Sequence, residues 1–183
     1  MRLFAALTPS ARAVEHLTAF LEPRQDAGPD LSWTDPDQWH VTLAFMAAVP
    51  ERAVEEVERA VAEVAATHPP VELRLVGCGA FPQAAEARVL WTGVRGALDP
   101  LARRVRDACS HAGGAPQGGR FHAHLTLARF RRPTEATRWV RILDGYAGPT
   151  WTTSEISLIS SHLGEGRRGR PRHEVVGTAR LTG

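Results

Sequence analysis

The sequence predicts an α+β fold in which antiparallel strands and helices share two similar halves. Three observations lead there. A four-residue phrase occurs twice, as His40-Val41-Thr42-Leu43 and His124-Leu125-Thr126-Leu127, 84 residues apart in a chain of 183. Short runs that alternate apolar and polar residues recur along the chain, the pattern of antiparallel strands with one covered face. Between them lie segments whose apolar residues return at helical spacing.

The elements come in this order. Arg2 to Leu7 reads as a strand. Thr8 is placed as the cap of a first helix, with Pro9 at its first position, where a missing N–H costs nothing. Val14, Leu17, Phe20 and Leu21 give that helix its apolar side, and Pro23 is expected to end it. A polar loop from Gln25 to Asp30 leads to a short extended piece, Leu31-Ser32-Trp33, and a turn at Asp35-Pro36. The first motif strand comes next. Pro50 opens a strong helix through Ala53, Val54, Val57, Val61 and Val64, which ends near His68. Val71 to Val76 reads as a strand broken by Gly77 to Ala80, and Arg88 to Val94 as another. Asp99 is expected to cap a helix carrying Leu101, Val105 and Ala108, closed by Gly113-Gly114. Ala115 to Arg120 delivers the second motif strand. A short helix over Pro133 to Leu143, a strand over Trp151 to Ser160, a basic turn over Gly164 to Pro171 and a last strand over His173 to Leu181 complete the chain.

Bulk properties narrow the class. A hydrophobic share of 43% and a charged share of 23% suit an ordinary globular protein. Residues 1–183 are long enough for one domain, or for two small lobes sharing a core. Cys78 and Cys109 form no CxxC pair and read as free thiols of a reducing compartment. No apolar run approaches the roughly 18 residues of a membrane span, and Leu3 to Leu7 is too short for a signal-peptide core. A cytoplasmic location is expected, with no membrane association, no obligate protein partner and a monomeric state. The charge is uneven: residues 1–70 hold 5 Arg against 11 Asp and Glu, residues 71–183 hold 17 Arg against 9, and there is no Lys. A basic half suits phosphate-bearing ligands. Ordinary solvated faces explain the same composition.

The repeated phrase carries the chemistry. Side chains alternate along a strand, so His40 shares a face with Thr42, and His124 with Thr126. Val41, Leu43, Leu125 and Leu127 then face a core. One His-x-Thr in a strand says little. Two copies, each followed by Leu-Ala, argue for a shared symmetric site. Simple alternation assigns Phe45 to the core, with base stacking as its alternative role. It also points Arg129 away from the cleft, unless the strand ends or bulges before it. His122 shares the parity of His124 and stands at an edge or in solvent, or at the cleft rim. Arg167, Arg168, Arg170 and Arg172 make a basic turn that either holds an RNA backbone or is simply solvated. His16, His68, His111 and His162 belong to no motif. No HxxxH or carboxylate cluster accompanies the motif histidines, and the HxxE of His162 and Glu165 lies apart from both motifs, so neither metal nor other cofactor is expected. The absence of Lys excludes a P-loop and a lysine-adenylating ligase.

With these residues in view, the chain resembles the 2H phosphoesterases, and within them the LigT-like RNA 2′,3′-cyclic phosphodiesterases of the 2′-5′ RNA ligase family. Both His-x-Thr-x motifs are intact. Arg2 to Leu7, Trp39 to Phe45, Phe81-Pro82 with Arg88 to Trp91, Phe121 to Arg129, and Ser160 are similar to the family's successive segments. The departures are Ala123 in place of a usual Pro, Met46-Ala47-Ala48 in place of Leu-Gly, and His173-Glu174 where an aromatic residue is common.

The resemblance implies a single domain of two pseudo-symmetric lobes, each an antiparallel sheet with outer helices, around a central cleft. It implies metal-independent opening of a terminal 2′,3′-cyclic phosphate on RNA or a nucleotide, leaving a 2′-phosphate, with 2′-5′ ligation as an associated activity. In-line displacement at phosphorus needs one group to take a proton from water and another to give one to the leaving oxygen. Two imidazoles near neutrality suit both jobs. The resemblance assigns His40 as proton donor, His124 as proton acceptor, and Thr42 and Thr126 to phosphate. The residues alone leave the two histidine roles exchangeable. Phe45, Arg129 and His122 remain candidate substrate contacts. A phosphodiesterase for another cyclic nucleotide, such as an ADP-ribose cyclic phosphate, and a non-catalytic nucleotide- or RNA-binding module are the alternatives.

Overall fold

The computed structural model describes residues 1–26, 31–166 and 171–183. Arg167, Arg168 and Arg170 of the basic turn, and 27–30 of the first loop, lie outside the described residues. Strand β1 is Leu3–Leu7, helix α1 Ala11–Gln25, β2 Leu31–Trp33, β3 Val41–Met46 and α2 Glu51–Ala66. Then come β4 Val71–Phe81, β5 Ala87–Arg95, α3 Asp99–His111, β6 His124–Thr134, α4 Thr137–Leu143, β7 Ala147–Thr153, β8 Glu155–His162 and β9 Arg172–Arg180.

Several boundaries differ from the sequence reading, each for a local reason. Ser10, not Thr8, caps α1: its backbone is extended and its hydroxyl accepts from the Ala13 N–H at 3.2 Å. Pro23 falls in the last turn, where it removes one ladder bond without ending the helix. Leu98 is the cap of α3, and Asp99 sits inside its first turn, facing the helix dipole. Strand β4 runs on through Gly77 to Phe81, because a bulge between Val76 and Gly79 restores pairing with β5. Pro133 belongs to the end of β6, which pairs as far as Thr134 with Ala87. The run from Trp151 to Ser160 is two strands, since β7 pairs with β4 while β8 pairs with β1.

Every pairing is antiparallel, and the path of the sheet is β7-β4-β5-β6-β3-β1-β8-β9, with β2 on the edge of β6. The two motif strands meet in the middle. Their shared pairing is a single pair, Val41 with Leu125. On either side lie four strands in matching sequence outward from the seam, β3-β1-β8-β9 and β6-β5-β4-β7.

Helices cover one face. Helix α1 packs on β7 and α4 on β4, while α2 and α3 pack on β8, β9 and β3. The covered face holds the core: Leu3, Leu7, Leu43, Leu75, Leu90, Leu101 and Leu125 are all fully or almost fully buried in one cluster. Burying each such side chain contributes about 1.5–3 kcal/mol against leaving it in water. The uncovered face of the sheet is left for the site.

The wall of that face beside His124 depends on a missing side chain. Gly79 lies under the Trp91 ring, and a Cβ there would overlap the ring atoms. Gly79→Ala is expected to cost about 1–3 kcal/mol by overpacking and to turn Trp91 outward. Thermal unfolding with tryptophan fluorescence measures both; an unchanged Tm with unchanged emission would show that the ring does not rest there.

Candidate active site

Alternation places the motif side chains as expected at first. Val41, Leu43, Leu125 and Leu127 are buried in the core. His40, Thr42, His124 and Thr126 line the open face. Then both strands slip. In the pairing of β1 with β3, Ala5 faces Ala44 and Ala6 faces Thr42, so Leu43 is an extra residue. In the pairing of β5 with β6, Leu90 faces Ala128 and Trp91 faces Thr126, so Leu127 is extra. A bulge re-aims the side chains beyond it. Ala44 and Ala128 therefore join the core, and Phe45 and Arg129 turn into the cleft. Phe45 is not a core residue, and Arg129 does not point away.

Each bulge has its carbonyl satisfied. Arg106 of α3 donates Nε–H to the Leu43 oxygen at 3.0 Å, and the Thr34 N–H donates to the Leu127 oxygen at 2.8 Å. Both donors' residues also line the cleft. The repeated Leu-Ala pair was the available signal, since two successive apolar residues cannot both be buried in a regular half-covered strand.

The two histidines are held alike. The Nδ1 atom of His40 bonds the Gln38 carbonyl at 2.7 Å, and that of His124 bonds the His122 carbonyl at 2.7 Å. A carbonyl only accepts, so each Nδ1 carries the hydrogen and each Nε2 is left for proton transfer. The ring of Phe4 stacks on His40 at 4.6 Å. Phe81 meets His124 edge-on at 4.9 Å. His122 stands at the exposed rim, edge-on to Trp91 at 4.6 Å.

Several cleft residues were not legible as such. Arg2, Phe4, Phe81, Arg106 and His173 all line it. The apolar β1 gives no parity signal, and His173 reaches His40 only through the β8–β9 pairing, at 5.4 Å between rings. Ser160 is buried, and Ser161 lines the cleft in its place.

The cleft encloses about 540 Å³, within the ~300–1,000 Å³ of small-molecule sites. None of its described lining residues is acidic. A second hollow of about 250 Å³, between α2 and the β8–β9 strands, contains no histidine. Burial of the His40 ring, with the neighbouring His173, His124 and Arg129 charges, pushes its pKa down to about 4 against the pull of the Gln38 carbonyl. His124 is lowered too, by burial and then by His122 and Arg129. Both rings are thus set to be neutral until an anion arrives.

The sequence pattern of the 2′-5′ RNA ligase superfamily matches residues 6–165. The chain belongs to this superfamily. Among its relatives is the RNA 2′,3′-cyclic phosphodiesterase of Aeropyrum pernix, 32% identical over 136 residues, 72% of this chain and 76% of the relative. That of Geobacillus stearothermophilus is 32% identical over 128 residues, 69% of this chain; the match spans only 41% of that longer relative. In structure, the chain is similar to the TT0787 protein of Thermus thermophilus, with a TM-score of 0.80 and 24% identity over 100% of this chain and 99% of the other. Escherichia coli LigT in complex with 3′-AMP gives 0.79 and 23% identity over 100% and 98%. These likenesses show the superfamily's α+β fold.

In a proton-NMR titration of the free protein, the His40 ring signals should move near pH 4, and added inorganic phosphate should shift that midpoint upward, because a bound anion favours the imidazolium. A midpoint at the ordinary value of about 6.5 would show that the ring is not desolvated.

Proposed function

We propose that this chain hydrolyses the 2′,3′-cyclic phosphate at the end of an RNA or a nucleotide to a 2′-phosphomonoester, without a metal. The single observation that carries the reading is the facing pair of His-x-Thr motifs, each with its Nε2 free toward one cleft that no described acidic residue lines. The names of the relatives point to the same substrate. The whole chain acts as one two-lobed domain in this reading, in a cytoplasmic monomer that needs no partner beyond its substrate.

The cyclic phosphate sits between the two motifs. His124 takes a proton from water as its oxygen attacks phosphorus, and the bond to the 3′ oxygen breaks in line. His40 gives that oxygen its proton. Thr42 and Thr126 donate to the non-bridging oxygens, where negative charge must be held. Arg129, turned inward by its bulge, adds a cation there. With a 5′-hydroxyl in place of water, the same displacement yields a 2′-5′ linkage. The donor set argues against a metal: among the described residues no group of three or more His, Cys, Asp or Glu is gathered as ligands.

An oligoribonucleotide ending in a 2′,3′-cyclic phosphate should be converted to a 2′-phosphate end with chelator present. His40→Ala and His124→Ala should each lower kcat by about 10²–10⁴-fold, the usual worth of a proton-transfer group. A 3′-phosphate product would reverse the leaving-group assignment, loss of turnover on adding chelator would overturn the metal-free mechanism, and binding without turnover would make the chain a recognition module.

The pH profile is set by the two lowered histidines. A reaction needing one ring charged and one neutral is centred midway between their two free-enzyme values, whichever ring does which job. With His40 near 4 and His124 also below 6.5, kcat/KM should peak on the acid side of 6.5 and fall as pH rises. A peak above pH 7 would contradict this electrostatic reading.

A further inference from the structure

The motif residues and Arg129 engage one phosphate, yet the cleft holds a further guanidinium and a further imidazole, those of Arg2 and His173, that this phosphate does not use. Arg2 lies next to β1, two residues from Phe4, the ring stacked on His40. Neighbours of one parity along a strand are about 7 Å apart, so the Arg2 backbone stands about that far from the Phe4 backbone, toward the same face. Its guanidinium lies over the Phe45 ring at 4.6 Å. His173 comes in from β9, edge-on to Phe4 at 5.1 Å and to His40 at 5.4 Å. The field of Arg2 acts on His173 and Arg129. It is absent from the charges that shape His40 and His124.

Both residues are left unsatisfied. The Arg2 Nε and the His173 Nδ1 are buried with no hydrogen-bond partner among the described residues. Neither has an acidic ion-pair partner among the described residues, and none of the described Asp or Glu residues lines the cleft. Buried polar atoms nearly always find a partner. A guanidinium that stacks by its face on a ring can still donate from its edge. Donors on a cation at that edge suit a phosphoryl group.

We propose that Arg2 and His173 form a second anion site, which holds the 5′-phosphoryl group of the nucleotide whose 2′,3′-cyclic phosphate is opened. This rests on the hydrolase reading above and narrows its substrate to nucleotides phosphorylated on both sides of the ribose. In a nucleotide, the 5′-phosphoryl group stands on the other face of the ribose from the 2′,3′ oxygens and so needs a partner of its own; Arg2 and His173 line the same cleft as His40. The group is either a terminal 5′-phosphomonoester or the phosphodiester that joins the last nucleotide to an RNA chain.

Three substrates separate these cases: adenosine 2′,3′-cyclic phosphate, its 5′-phosphorylated form, and the dinucleotide ApA with a 2′,3′-cyclic end. The site predicts that kcat/KM for one or both 5′-substituted substrates exceeds that for the plain nucleoside cyclic phosphate by roughly 10–100-fold, the worth of a charge-assisted hydrogen bond. Preference for the dinucleotide marks the RNA backbone, and preference for the mononucleotide marks the monoester. In Arg2→Met and His173→Gln that ratio should fall toward one, mostly through KM, while Arg2→Lys should keep part of it. The ratio cancels any uniform loss of activity. A wild-type ratio near one, or a ratio unmoved in both variants, would overturn the second site. Should none of the three be turned over, the hydrolase reading fails instead. Calorimetry then decides the second site alone: adenosine 2′,5′-bisphosphate should bind at least tenfold tighter than adenosine 2′-phosphate, and equal affinities would overturn it.

Discussion

One extra residue in each motif strand determines the chemistry of the cleft. With strict alternation, the side chain of Arg129 would enter a core of Leu and Val, where an unpaired charge costs several kcal/mol. Phe45 would join it. The bulges at Leu43 and Leu127 turn both outward and send Ala44 and Ala128 inward instead. The cost of a bulge is a broken ladder. Here the freed carbonyls are taken by Arg106 and Thr34, both of which line the cleft. The device that shapes the strands is thus tied to the site's own walls.

The electrostatics of the cleft obey a matching logic. Cations and imidazoles face it, and no described carboxylate lines it. Acidic side chains exist nearby but are used elsewhere: Glu165 and Glu174 both pair with Arg172 on the β8–β9 hairpin. A cavity whose described lining holds no acid favours anions and keeps its histidines neutral when empty. The carbonyl bond on each Nδ1 then fixes which nitrogen faces the ligand.

Much of this was legible in the residues. The strands were found by alternation, and the helices by spacing and their prolines. The four motif residues were found by counting two along a strand. The failures share a cause, which is that local rules do not see across strands. Alternation could not foresee a bulge stabilised by Arg106, a residue 63 positions away from Leu43. The single run from Trp151 to Ser160 hid a switch between sheet halves, because both parts read equally well as strand. His173 looked like a stray substitution in the last strand, and only its pairing with Ser161 brings it beside His40. Thr8 and Ser10 are both good caps, and backbone geometry chose between them.

The crossing of helices between the two sheet halves has a consequence for how the chain folds. Helix α1, from the first quarter of the sequence, covers β7, and α3 covers β3 on the other side of the seam. A ribosome that has released residues 1–70 has made β1, β3 and α2 before α3, the helix that packs on β3, is synthesised. The outermost strands of the β3 side, β8 and β9, emerge last of all. Contacts so distant in sequence close slowly and late. Neither half can be completed without the other, because α1 from the first half covers β7 and α3 from the second covers β3. His40 and His124 reach their final surroundings only once both halves are in place.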